Sequence, residues 1–94
     1  MLNVNEYFDG KVKSIGFETA EGKATIGVMA PGEYAFGTST VELMTVVSGE
    51  MTVLLPGEKE WKIYKEGESF RVEKDKKFAV KTNTYTAYKC IYLD

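Results

Sequence analysis

Glu42 is the residue in this sequence best placed to do chemistry. Six residues separate it from Gly49, and 17 more separate Gly49 from Gly67, which opens the stretch reaching Phe78. A carboxylate held between such glycine turns can ligate a metal, hold sugar hydroxyls or handle a proton. Composition removes the first option in its usual form: the sequence has no histidine and a single cysteine, Cys90. Zinc, iron or nickel wants neutral imidazoles or thiolates, and one carboxylate does not replace them. The usual metal is therefore not expected. A lone carboxylate facing an apolar cavity resists ionisation unless donors pair with it. Cys90 reads as a small buried hydrophobe, because no histidine is available to activate its thiol.

These groups must be positioned by strands. The sequence is strand and turn almost throughout, with no long stretch of helical periodicity. Asp9-Gly10, Glu21-Gly22, Ser48-Gly49-Glu50 and Glu66-Gly67 are turn signals. Pro31-Gly32 and Pro56-Gly57 predict type II turns, in which proline presets the first φ and glycine accepts the positive second one. Between the turns, strands are expected over 11–17, 24–29, 33–36, 42–48, 51–55, 61–64, 70–72, 78–82 and 85–93. Roughly nine or ten short strands with frequent turns describe an all-β barrel or sandwich. The mixed charges of 73–77 mark a solvated loop.

Period-2 alternation assigns faces. If Glu42 points inward, so do Met44, Val46 and Ser48. Phe70 and Val72 share a face, which sends Arg71 outward. Tyr88, Cys90 and Tyr92 share a face, which sends Lys89 outward. Such faces converge on a cavity lined by apolar and aromatic groups with a few polar ones, as ligand pockets are. A filled core would alternate in the same way.

With 94 residues, the length predicts one domain spanning 1–94. At that size much apolar surface stays exposed. Since 44% of the residues are hydrophobic, a second copy of the chain is expected to cover some of it, giving a homodimer. The 12 basic and 14 acidic residues nearly balance, which argues against a nucleic-acid partner. A small phosphorylated ligand needs only one or two local donors and remains allowed. The first 15 residues are polar, and no apolar run approaches spanning length, so no membrane association is expected. One cysteine suits a reducing compartment, and the expected location is cytoplasmic.

The spacing of Glu42, Gly49 and Gly67 resembles the two-part signature of the cupin family of small β-barrels. That family usually places three histidines and one glutamate on a metal. Counting back from Glu42 puts two histidine slots at Phe36 and Thr38, or at Ala35 and Gly37 with looser spacing. The third falls at Phe78. The second segment's proline and glycine fall at Glu73 and Asp75, a departure from the pattern. The resemblance covers about 31–82 and implies a single-domain, jelly-roll-like cupin barrel with little or no helix.

The flanks narrow this resemblance. Asn5-Glu6-Tyr7-Phe8 and the run from Gly10 to Phe17 look like the N-terminal motif of the pyrimidine/purine nucleoside phosphorylase family, which are small cupin-like proteins. Gly27-Val28-Met29, Gly32-Glu33-Tyr34 with Phe36, Met44-Thr45-Val46 and Ser48-Gly49 agree. So do Leu54-Leu55-Pro56, Trp61, Tyr64, Gly67, Phe70, Val72 and the ending Tyr88, Cys90, Tyr92-Leu93. The loop 73–77 departs, since the family more often has a proline-glycine turn there.

The resemblance implies an enzyme that splits purine and pyrimidine nucleosides with inorganic phosphate into free base and α-ribose 1-phosphate, without a cofactor. Phosphorolysis passes through an oxocarbenium-like state related to that of glycoside hydrolysis, which a nearby carboxylate stabilises. Glu42 is the first candidate for that role or for the ribose hydroxyls. Tyr88 is the candidate donor to the departing base. Lys11, Lys13 and Arg71 are candidates for phosphate, helped by Ser14 or backbone N–H groups. The outward face of Arg71 would require a pocket completed by a partner subunit. Tyr34, Phe36, Phe78, Tyr88 and Tyr92 are candidates for stacking the base. Two other readings stay open: a non-catalytic barrel that binds a sugar or small anion with the same residues, and a metal enzyme with oxygen ligands.

Overall fold

The computed structural model describes residues 2–93, and ten strands account for its regular structure. They are β1 (Asn3–Tyr7), β2 (Val12–Thr19), β3 (Gly22–Met29), β4 (Gly32–Gly37), β5 (Val41–Ser48), β6 (Glu50–Leu54), β7 (Lys62–Lys65), β8 (Ser69–Val72), β9 (Lys77–Thr82) and β10 (Thr86–Leu93). There is no helix among the described residues. A six-stranded antiparallel sheet in the order β1-β2-β3-β10-β5-β8 faces a four-stranded one in the order β4-β9-β6-β7. The expected all-β architecture holds. Its barrel takes the form of two facing sheets, each with its own hydrogen-bond ladder.

Inward-facing rows run across the large sheet and explain what fills it. In the first row, Tyr7–Val12–Met29–Thr86, the buried Val12, Met29 and Thr86 form a solid core with Met51, Val53 and Val80 from the small sheet, while Tyr7 stays exposed. The next is Asn5–Ser14–Gly27–Tyr88–Val46. After it comes Asn3–Gly16–Thr25–Cys90–Met44–Phe70, and Tyr92–Glu42–Val72 completes the set. Apolar side chains thus give way to hydroxyls, amides and a carboxylate from one end of the sheet to the other. The apolar end is filled and the polar end is left open.

Three expectations need correction. Residues 3–7 form an edge strand that alternation did not reveal, because its inward positions Asn3 and Asn5 face the open end and carry no hydrophobic stripe. Ser48 is exposed rather than inward. A bulge at Ala87/Tyr88 pairs Ala87 with Ser48 but Tyr88 with Val46, which breaks the alternation of β5 at Val47. Gly32 has no positive φ, so Pro31-Gly32 is not a type II turn; Pro31 bends the chain from the large sheet into the small one. Pro56-Gly57 keeps its expected form, with Gly57 at φ 76°.

The loop 73–77 keeps a tight turn without the family's glycine. Asp75 takes φ 58°, the left-handed region that glycine would enter freely and that aspartate tolerates. Thr38 holds the loop: its Oγ1 donates to the Glu73 carbonyl at 2.7 Å, and its N–H donates to the Lys76 carbonyl at 2.9 Å. A residue at a histidine slot has become a loop anchor.

Candidate functional site

The bulge at Val47 of β5 and the absence of a side chain at Gly27 place Tyr88. Its ring lies directly on Gly27, where an added Cβ would sit 2.5 Å from the ring's Cζ. Beyond it, Cys90 and Tyr92 follow on the same face, and Glu42 stands opposite Tyr92 on β5. From the facing sheet come Phe36 and Phe78, with centroids 5.6 Å apart. Phe8 closes the side of the site. It adopts φ 53° at the β1–β2 turn, and its ring packs 5.0 Å from Tyr34 and 5.6 Å from Phe36. A non-glycine residue in that region is unusual, and its packing on the Tyr34 and Phe36 rings offsets the strain.

These elements enclose a cavity of about 350 Å³ lined by Glu42, Ser14, Phe36, Phe78, Tyr88 and Tyr92, together with Tyr7, Phe8, Met44 and Cys90. That volume is at the lower end of the roughly 300–1,000 Å³ typical of small-molecule sites. The Cys90 thiol donates to Glu42 Oε1 at 3.5 Å, and the Tyr92 and Thr25 hydroxyls meet at 3.3 Å. Burial raises the pKa of Glu42, opposed in part by the Cys90 thiol. Burial pushes the Tyr88 hydroxyl up to about 12, with further increases from its neighbours and a small decrease from Ser14. Burial, then the Glu42 carboxylate, raises the Cys90 thiol; burial also raises Tyr92. At neutral pH the two tyrosines are therefore proton-bearing donors, and Cys90 is a thiol with little nucleophilic character.

Six of the ten residues expected at the site meet in this cavity: Glu42, Tyr88, Ser14, Phe36, Phe78 and Tyr92. Four do not. Tyr34 is buried behind Phe8 and Phe36, and its hydroxyl donates to the Ala30 carbonyl. Lys11 is exposed at the start of the hairpin. Lys13 faces the outside of the large sheet and pairs with Glu6 at 3.5 Å. Arg71 lies on the outer face and pairs with Glu73 at 2.7 Å. Lys13 and Ser14 are consecutive in one strand, so alternation already allowed only one of them to face inward. Thr25, Tyr7 and Phe8 were missed. Thr25 belongs to the alternating run of β3, and that parity was a usable signal. Among the described residues, no three His, Cys, Asp or Glu side chains gather into a cation site.

The family model for pyrimidine/purine nucleoside phosphorylases matches residues 2–92. The chain belongs to that family. A pyrimidine/purine nucleoside phosphorylase of Pseudoalteromonas atlantica is 59% identical over 93 residues, covering 99% of this chain and 100% of its own. One of Pseudomonas putida is 57% identical over 94 residues, covering all of both chains. A crystal structure of a Vibrio parahaemolyticus protein of unknown function is similar with a TM-score of 0.95 and 46% identity, covering 99% of each chain. An RmlC-like cupin from Shewanella frigidimarina matches with a TM-score of 0.74 and 22% identity, over 95% of this chain and 80% of its own. That likeness concerns the fold, which is of the cupin type. Within the family framework, the two sheets are a cupin scaffold with phenyl rings at two former histidine slots.

Proposed function

We propose that this chain is a metal-independent nucleoside phosphorylase of broad specificity, converting purine or pyrimidine nucleosides and inorganic phosphate to free base and α-ribose 1-phosphate. The observation that carries the reading is Glu42, a half-buried carboxylate facing an aromatic cavity of nucleoside size, in a chain of this family. The base stacks on the surface formed by Phe36 and Phe78, which accepts any base because every base has a π face. Few directed donors surround that slot, which is why purines and pyrimidines both fit.

Ribose lies over Glu42. As the C1′–N bond breaks, positive charge grows on the sugar ring, and the ionised carboxylate stabilises it in a site that excludes most water. The bonding pair leaves with the base nitrogen. Tyr88 carries its proton at neutral pH and donates a hydrogen bond to that nitrogen. Phosphate oxygen forms the new bond to C1′.

A second copy packs on the outer face of the large sheet in this proposal. There Val4, Ile15 and Ile26 form one cross-strand row, with Val28 nearby, and all four are substantially exposed. Glu6, Lys13 and Lys89 on the same face offer both charges, so a two-fold pairing can match opposite signs.

The direct test is purified protein with uridine or adenosine. Free base should appear only when phosphate is present. Equal release without phosphate makes the protein a hydrolase. Nucleoside binding without release across several nucleosides makes it a binding barrel and removes the proposal.

A further inference from the structure

The aromatic cavity has a deficit for the reaction just proposed. Among the described residues, Glu42 is its only charged lining residue, and no lysine or arginine lines it. A phosphate dianion placed there would face a carboxylate. Stereochemistry also asks for a different entry. Conversion of a β-nucleoside to α-ribose 1-phosphate inverts C1′, so phosphate must approach from the side of the sugar opposite the base. With the base on Phe36 and Phe78, that approach lies beyond Tyr92.

A second cavity, of about 630 Å³, opens there. It is lined by Asn3, Asn5, Thr25, Lys23, Glu18 and Tyr92, among others, and Tyr92 is shared with the first. Alternation along β3 puts Lys23 on the face of Thr25 and Gly27, which is the face of Cys90, Tyr92 and Glu42. Continued one residue beyond the Ile91–Ala24 pair, the register brings Lys23 alongside the Tyr92–Glu42 row, with Glu18 across from it. Lys23 is thus two strands from Glu42, about 10 Å at the backbone. Among the described residues it forms no salt bridge, although Glu18 is its cross-strand partner. Two contacts join residues that line the two cavities: the 3.3 Å contact between the Tyr92 and Thr25 hydroxyls and a 3.4 Å hydrogen bond from Asn5 Nδ2 to Ser14 Oγ. Both are long for hydrogen bonds of their kind and can re-form on a ligand oxygen.

We propose that inorganic phosphate binds in this second cavity, between Lys23, Asn5 and Thr25, and reaches C1′ past Tyr92 while the nucleoside occupies the aromatic cavity. The inference rests on the phosphorolysis reading and names the subsite of its second substrate. One phosphate oxygen bonds to C1′, the C1′–N pair leaves with the base, and the base takes up a proton. Lys23 supplies the positive charge. Asn5, Thr25 and Tyr92 supply directed donors. Glu18 opposes the dianion and keeps its binding loose enough for product to leave.

Lys23→Met, Lys23→Arg and Glu18→Gln test this by steady-state kinetics, each substrate varied against saturating partner, with calorimetric titration of inorganic phosphate alone. Lys23→Met should raise the phosphate KM by about tenfold or more, the loss of one charge-assisted contact, with the nucleoside KM little changed. Lys23→Arg should restore most of the loss, and Glu18→Gln should lower the phosphate KM. A phosphate KM unmoved by Lys23→Met, or a nucleoside KM that rises equally, overturns the subsite. Phosphate titration separates the two failures. If the parent splits no nucleoside yet binds phosphate in a Lys23-dependent way, the anion site stands and the enzymatic reading falls. If phosphate binds equally well without Lys23, the site falls.

Discussion

Gly27→Ala should damage this protein through a single contact, and the size of the effect follows from geometry. The new Cβ would lie 2.5 Å from Tyr88 Cζ, 2.6 Å from its hydroxyl oxygen and 2.7 Å from Cε1, where ordinary contact begins at 3.4 Å. The ring must retreat by about 1 Å, and it is held between core side chains and the cavity that it lines. Overpacking of this kind costs about 1–3 kcal/mol. In a domain of this size that lowers Tm by roughly 5–20 °C. Without the clash the expected sign is opposite, because alanine is favoured over glycine in a strand interior by about 0.5–1 kcal/mol. Turnover should fall more steeply than stability, since displacing a reacting group by about 1 Å can cost about a hundredfold in rate. The assay is a double-mutant cycle with Tyr88→Ala, followed by thermal denaturation, with uridine phosphorolysis measured on Gly27→Ala alone. In the Tyr88→Ala background, Gly27→Ala should be neutral or stabilising. An equal loss in both backgrounds would show that the ring is not what Gly27 accommodates, and the positioning argument would fail.

Other variants probe the rest of the site. Glu42→Gln should abolish turnover while leaving stability at neutral pH unchanged or higher. Because burial raises the carboxyl's pKa, the folded state binds its proton more tightly than the unfolded state. Its contribution to stability therefore declines as pH rises from the ordinary carboxyl value of 4.5 to the higher folded value, and denaturation melts across that range should show this slope in the parent and lose it in Glu42→Gln. If ionised Glu42 is the working form, kcat/KM in the parent should have an acid limb above 4.5; a limb that persists unchanged in an active Glu42→Gln would assign it to another group. Cys90→Ala should retain most turnover, and a thiol reagent should label parent Cys90 only as the fold opens; rapid labelling of native protein would contradict its burial. Lys13→Ala and Arg71→Ala should leave the phosphate KM unmoved, because both side chains lie on the outer face and pair with Glu6 and Glu73. Ile26→Lys should convert a dimer to monomer in light scattering, and a parent that is already monomeric removes the proposed use of that face.

The pattern of chain and structure agreement has a physical logic. Alternation is a local property of extended backbone, so it predicted that Tyr88, Cys90 and Tyr92 share a face and that Arg71 leaves the face of Phe70 and Val72. It failed at Ser48, where a bulge at Val47 in the same strand altered the count. It missed β1 because that strand's inward side chains are polar and serve an open cavity, which conceals the usual hydrophobic stripe. Tyr34 was expected at the site as an aromatic ring. Only packing against Phe8 and a hydrogen bond to Ala30 revealed it as support for the rings that do line the cavity.

By itself the sequence determined the all-β architecture, the turns at most of its glycines and the absence of an imidazole set for a metal. It also determined the parity that carries Glu42 and Tyr88 inward. These follow from residue type and backbone geometry within a few positions. Only the tertiary structure decided where positive charge stands relative to Glu42. Lys11, Lys13 and Arg71 looked promising as types, yet the strands point Lys13 and Arg71 away and leave Lys11 exposed outside the cavity. Lys23, which the sequence did not single out, lines the second cavity with Tyr92, on the face that carries Thr25 and Gly27. Strand register sets that placement, and register depends on residues far apart in the chain.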